Sequence, residues 1–130
     1  MEELRKHILL VEDNDDNASI YQMALEHAGY RVTRAEDGEQ ALRLVRLIRP
    51  DLIIMDISLP KLDGWQVTAA IKQDPALRLV PIVAVTAHAF ETDRQRARLL
   101  QFDGYLAKPV EPRRVLSEVE QLIGVAHATI

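Results

Sequence analysis

Four places in the chain put a chemically capable side chain directly behind a short apolar run. Glu12-Asp13 follows His7 to Val11, Asp56 follows Leu52 to Met55, Thr86 follows Ile82 to Val85, and Lys108-Pro109 follows Tyr105 to Ala107. Three carboxylates drawn to one edge would repel one another, so the arrangement is tolerable mainly if a cation binds or some of them protonate. Oxygen ligands with no Cys and no adjacent His suit Mg²⁺ or Mn²⁺ better than Zn²⁺, and two or three carboxylates leave positions for water and a phosphoryl oxygen. Lys108 adds a cation and Thr86 a hydroxyl donor to oppose the metal across one anion. A nucleophile, a metal and positive charge on the equatorial oxygens are the parts that phosphoryl transfer needs. Taken singly these signals are weak: an acidic pair after a strand is ordinarily a helix cap or a solvated turn, and Lys-Pro is a common dipeptide. Their joint occurrence at successive run ends carries the reading.

The elements that must position these residues are legible in the spacing of apolar side chains. The four runs above, with Arg31 to Ala35, are mostly continuous rather than alternating, as expected for strands covered on both faces. Helical periods lie between them. The first puts Ile20, Ala24 and Ala28 on one face and stops at Gly29. The second carries Ala41, Leu42, Val45 and Ile48, with Asp37 and Gln40 at a capping-box spacing. The third carries Val67, Ala70 and Ile71, begins near Asp63 as N-cap and ends before Asp74-Pro75. The fourth, about Thr92 to Leu100, has only Ala97 and Leu100 as inward candidates, while the last places Val115, Leu116, Val119, Leu122 and Ile123 on one stripe behind Pro112. Five strands alternating with five helices predict an α/β fold, a doubly wound parallel sheet with right-handed crossovers. In such a sheet ligands sit outside the carboxyl ends of the strands, where strand order reverses. All four candidate positions are at those ends.

Composition narrows the chemistry further. The chain has 130 residues, 48% hydrophobic and 28% charged, with a formal net charge of −4 and no Cys. One domain is expected, over residues 1–124, with 125–130 as a short C-terminal tail. Disulfides, thiolate metal sites and thiol nucleophiles are excluded. The acidic balance lacks the basic footprint of a nucleic-acid binder, so no direct nucleic-acid contact is expected. No apolar run approaches the ~20 residues that span a bilayer, and residues 1–20 lack the order of a signal peptide, so the expected location is the cytoplasm, away from the membrane.

With these residues assembled, the sequence resembles the receiver domain of two-component response regulators, over residues 7–123. The likeness rests on Ile8-Leu9-Leu10-Val11-Glu12-Asp13-Asn14, Asp56-Ile57-Ser58-Leu59-Pro60-Lys61-Leu62-Asp63-Gly64, Val85-Thr86-Ala87 and Gly104-Tyr105-Leu106-Ala107-Lys108-Pro109. It implies a flavodoxin-like (βα)5 domain with strand order 2-1-3-4-5, of the single-domain type that chemotaxis regulators exemplify. It further implies that Asp56 takes a phosphoryl group from a sensor histidine kinase or a histidine phosphotransfer protein. Glu12, Asp13, Asp56 and the backbone carbonyl of Ser58 would hold Mg²⁺, with Mn²⁺ as a substitute. Lys108 would pair with the phosphoryl oxygens, the Lys108–Pro109 bond would be cis, Thr86 would move to the phosphoryl group, and Tyr105 would turn inward behind it. The output would be a changed surface carrying Arg94, Arg98, Tyr105 and Arg113, read by a downstream protein target. Such a module assists its own phosphorylation and dephosphorylation without turning over an outside substrate, as a monomer or a weak homodimer.

Two departures and three rivals qualify the resemblance. Where the family commonly ends its fourth helix in Gly, this chain has Gln101, which must accept a left-handed conformation or end the helix differently. The arginines of the fourth and last helical segments suit an acidic docking partner or a self-paired dimer, and equally a solvated charged face. Ser58 and His88 lie where side chains tune water access, and His88 reads as a rim residue rather than a ligand. Trp65 reads as a packing residue close enough to the site loop to serve as an optical reporter. A metal-dependent phosphatase would commonly carry an Asp where Ser58 stands. A flavin or nucleotide binder would need a Ser/Thr/Gly-rich cradle after the first strand, and the chain offers Glu12-Asp13-Asn14-Asp15-Asp16 instead. A phosphorelay intermediate, or a receiver cut from a hybrid kinase, would share the same site residues.

Overall fold

In the computed structural model, residues 5–57, 63–87, 95, 98 and 101–125 are described. Along them run β1 (His7–Val11), α1 (Asp15–His27), β2 (Arg31–Ala35), α2 (Gly38–Ile48), β3 (Leu52–Asp56), α3 (Gly64–Gln73), β4 (Ile82–Thr86), β5 (Gly104–Ala107) and α4 (Pro112–Ile123). Of the helical segment expected over about Thr92 to Leu100, only Gln95 and Arg98 are described, both helical and exposed. Ser58, His88 and Arg94 lie outside the described residues, as do residues 126–130. Among the described residues no helix is long and apolar enough to cross a membrane.

The strands form one five-stranded sheet in the order β2-β1-β3-β4-β5, parallel at every pairing. Both faces are covered. Ile8, Leu10, Leu52, Ile54, Val83 and Val85 pack with Tyr21 and Leu25 of α1 and Val115 and Val119 of α4. Leu9, Val11, Ile53 and Met55 pack on the opposite face with Ala41 and Val45 of α2 and Val67 and Ile71 of α3. Side chains alternate across a strand, so two buried faces require a continuous apolar run. β3 and β4 are buried at every position, whereas the edge strands β2 and β5 are each buried at a single position, Ala35 and Leu106.

Helix α1 corrects one reading of the sequence. The buried stripe is Ala18, Tyr21 and Leu25; of the expected Ile20, Ala24 and Ala28, Ile20 is 50% exposed, while Ala28 packs half-buried against the core. Both stripes have helical spacing, so the sequence pattern alone favours neither. Packing selects the stripe whose large members, Tyr21 and Leu25, fill the space between the sheet and α4.

Side-chain caps set where the helices begin. Asn14 caps α1 by accepting the Asn17 N–H, and Asp37 caps α2 by accepting the Gln40 N–H. The return bond at α2 goes one residue further out than a capping box would send it, with Gln40 Oε1 accepting the Glu36 N–H at 2.8 Å. Asp63 and Gln66 close a complete capping box at α3. Gln101 takes the first of its two alternatives, a left-handed conformation at φ 63°.

Candidate functional site

Strand register brings the candidate residues into one row. β1 ends its pairing at Val11↔Ala35 and Val11↔Met55, so Glu12 emerges beside Asp56. β3 pairs Asp56 with Val85 and β4 pairs Thr86 with Ala107, which places Thr86 and Lys108 in the same row. The Lys108 N–H donates to the Thr86 carbonyl at 2.7 Å, extending that last pairing by one residue. β1 and β3 are neighbours whose following helices lie on opposite faces of the sheet, so the row spans the reversal of strand order, where a crevice opens.

Within the crevice Glu12 is 2% exposed and Asp56 and Thr86 are each 4% exposed, while Asp13 stands at the exposed rim. Lys108 Nζ bridges the two buried carboxylates, at 3.1 Å from Glu12 Oε1 and 3.2 Å from Asp56 Oδ2. The other Glu12 oxygen accepts the Asn14 N–H at 3.2 Å. Burial by itself lowers the affinity of the Lys108 amine for its proton, but the charge of Asp56 and the charge and hydrogen bond of Glu12 outweigh it, leaving the ammonium held above its ordinary range. It is a fixed positive charge at neutral pH. The Lys108–Pro109 peptide bond is cis.

One carboxylate oxygen from each of Glu12, Asp13 and Asp56 lies within 4.8 Å of the others. Oxygens on opposite sides of a Mg²⁺ with bonds of ~2.1 Å stand ~4.2 Å apart. The three carboxylates therefore need only a small approach to share a hard divalent cation, and among the described residues this is the one group of three acids, His or Cys with that geometry. Ser58 lies outside the described residues, so its carbonyl is not part of this geometry.

The remaining site residues are dispersed around the crevice. Tyr105 is half-buried against Ile57, Trp65 and Ala84, together with Phe102. Trp65 and Phe102 meet edge to face, with ring centroids 5.6 Å apart and planes at 72°. Trp65 is thus a packing residue, clustered with Ile57, the residue that follows Asp56. Arg98 and Arg113 are exposed, and Arg114 pairs with Glu118 at 2.9 Å. Beside Lys108 a groove of about 430 Å³ runs between α1 and the start of α4, lined by Asn17, Ile20, Tyr21, Ala87, Pro109 and Val110 among others.

Sequence reasoning missed Arg34, which read only as part of a strand. Its Nε donates to the Glu12 carbonyl at 3.0 Å and its Nη1 to Asp15 Oδ1 at 2.8 Å. An Arg inside a strand run, one position before its end and flanked by Thr33 and Ala35, was the available signal.

Comparison with known proteins agrees with this geometry. Residues 8–120 match the family described as response regulator receiver domain. The chain is 39% identical over 121 residues to the polar-differentiation response regulator DivK of Brucella anthropi, covering 93% of this chain and 98% of that one. It is similar in structure to the receiver domain of a sensor histidine kinase from Pseudomonas aeruginosa, which was solved with a magnesium ion coordinated in the active-site cleft. There the TM-score is 0.84 and the identity 40%, over 92% of this chain and 98% of that one. The chemotaxis response regulator CheY4 of Vibrio cholerae superposes with a TM-score of 0.85 at 26% identity, over 91% of this chain and 98% of that one.

Proposed function

Since the chain belongs to the response regulator receiver domain family, we propose that Asp56 is the residue that takes a phosphoryl group from a phosphohistidine donor. The supporting observation is the buried pair of carboxylates bridged by Lys108, with Asp13 at the rim. An Asp56 carboxylate oxygen attacks phosphorus, the P–N bond to the donor imidazole breaks, and that nitrogen retains the bonding electrons and takes up a proton. Charge gathers on the equatorial phosphoryl oxygens during the transfer. Lys108, already charged and aimed at Asp56, meets it without rearrangement.

Glu12, Asp13 and Asp56 are the residues that would hold Mg²⁺, with the Ser58 carbonyl as the expected fourth protein ligand. When bound, the cation supplies further neutralisation of the phosphoryl oxygens and relieves the mutual repulsion of the three carboxylates. Thr86 provides the hydroxyl that donates to the new phosphoryl group. Tyr105, packed beside Trp65 and Ile57, follows that movement and carries it to the surface with Arg98 and Arg113. The new charge biases a two-state surface, which is how the domain would switch a downstream protein target. The donor, a sensor histidine kinase or a phosphotransfer protein, seats in the groove beside Lys108. Ile20 and Met23, 50% and 70% exposed on α1, extend the apolar side of that approach.

The test is intact mass after incubation with acetyl phosphate and Mg²⁺, for wild type, Asp56→Ala and a metal-free control. One alkali-labile phosphoryl group on wild type alone supports the reading. An adduct that persists in Asp56→Ala places the acceptor elsewhere. The 40% identity to a receiver domain of a sensor kinase favours a second reading, a relay intermediate. Rapid return of the phosphoryl group to a histidine phosphotransfer protein would select it.

A further inference from the structure

Glu12 occupies an awkward place in the sheet. Its N–H donates to the Ala35 carbonyl at 3.0 Å, but it stands one residue past the last β1–β2 pair, Val11↔Ala35. No ladder donor of β2 remains for its carbonyl. Arg34 supplies one from a side chain, Nε to Glu12 O at 3.0 Å, and its Nη1 reaches Asp15 in the first turn of α1 at 2.8 Å. A single guanidinium therefore ties down both ends of the three-residue span between β1 and α1, the span that carries Glu12 and Asp13. The Arg34 side chain is 19% exposed, and its remaining nitrogen, Nη2, is buried with no hydrogen-bond partner among the described residues. An Arg kept in such a position forgoes a hydrogen bond and part of its hydration, a cost that the two bonds to the acidic loop must offset.

We infer that Arg34 is a positioning residue for the divalent cation, holding the Glu12–Asp13 loop in the conformation in which both carboxylates face Asp56. This rests on the metal reading given above. The planar fork is essential to the role, because its nitrogens are set at fixed angles and can serve two acceptors at once, whereas a Lys ammonium on a flexible stem is a point charge. Charge and geometry make opposite demands here. As a charge, Arg34 repels a cation, so its removal would tighten metal binding. As a brace, it preorganises the ligands, so its removal would weaken binding.

The experiment titrates Mn²⁺ alone into wild type, Arg34→Gln and Arg34→Lys, counting free ion by its EPR signal, with thermal unfolding in EDTA for each protein. Both variants are expected to bind Mn²⁺ roughly tenfold more weakly, at the low end of the ~10–100-fold that loss of a ligand-orienting partner costs. Both should remain folded well above the titration temperature, whereas a purely structural role would lower the unfolding temperature and leave the affinity of the folded protein unchanged. Unchanged or tighter binding by Arg34→Gln overturns the inference. So does wild-type affinity in Arg34→Lys, since charge alone would then suffice. Failure of the wild type itself to bind Mn²⁺ overturns the metal reading and this inference together, whereas normal wild-type binding beside unaltered variants overturns this inference only.

Discussion

Lys108 lies between Glu12 and Asp56, and neither carboxylate has much water to solvate it: Glu12 is 2% and Asp56 4% exposed. Removing one partner of a buried ionic group leaves the others desolvated and uncompensated, which costs ~3–5 kcal/mol. Lys108→Met is therefore expected to lose about 3 kcal/mol of stability in EDTA. Mg²⁺ should restore part of that loss, since the cation takes over the neutralising role. Urea unfolding of the variant with and without Mg²⁺ checks both statements, and equal midpoints in the two conditions would remove the cation from the account. The types of these residues and their places at strand ends were readable from the chain. The bridge itself was not, because it depends on Lys108 reaching across β4 to β3 and β1, residues 52 and 96 positions away in sequence.

At the scale of elements, the loop and helix ends carry their own tests. Gly64 opens α3, and a Cβ there would stand 2.7 Å from both the Asp56 carbonyl oxygen and the Ile57 Cα. Neither neighbour is a side-chain end that can swing away, so Gly64→Ala is expected to cost about 1–3 kcal/mol by overpacking. It should also disturb Trp65 fluorescence, because α3 must move off the strand end. Gln101 holds φ 63° without the freedom of a glycine. Gln101→Gly is expected to stabilise the fold by about 0.5–1 kcal/mol, the relief of left-handed strain less the extra entropy of the unfolded chain. A urea midpoint that falls in this variant would refute the strain argument. The caps of α2 and α3 and the end of α1 were legible, since they depend on neighbours three or four residues away. The buried face of α1 was not, because Ile20 and Tyr21 offer competing stripes that only contact with the sheet and α4 can separate.

Across the whole molecule, the two ends of the described chain are fastened to each other at the edge opposite the site. The Tyr30 hydroxyl donates to the Gly124 carbonyl at 2.6 Å, and Lys6 Nζ donates to the carbonyl of Ile123, the last residue of α4. Tyr30 is 1% exposed, and burial, with a smaller contribution from Glu120, raises its phenol above the ordinary 10.0. A folded-state value above the unfolded one means that the unfolded chain releases the proton first. This contribution to stability is therefore complete below about pH 10 and is lost as pH rises through the folded value. Lys108 and Tyr21, both also raised, act with the same sign. The urea midpoint should hold from about pH 7 to 9 and fall above about pH 10, and Tyr30→Phe should lower the plateau by ~1 kcal/mol while making the fall shallower. An unchanged alkaline slope in Tyr30→Phe would contradict this. The sequence by itself determined the fold class and the candidate residues that stand at the strand ends, because apolar runs and the residues that end them are local properties of the chain. Only the tertiary structure decided which oxygen Lys108 meets, which stripe of α1 is buried, and that Arg34 braces the acidic loop. Those depend on strand register and side-chain reach between segments far apart in sequence, which local pattern does not encode.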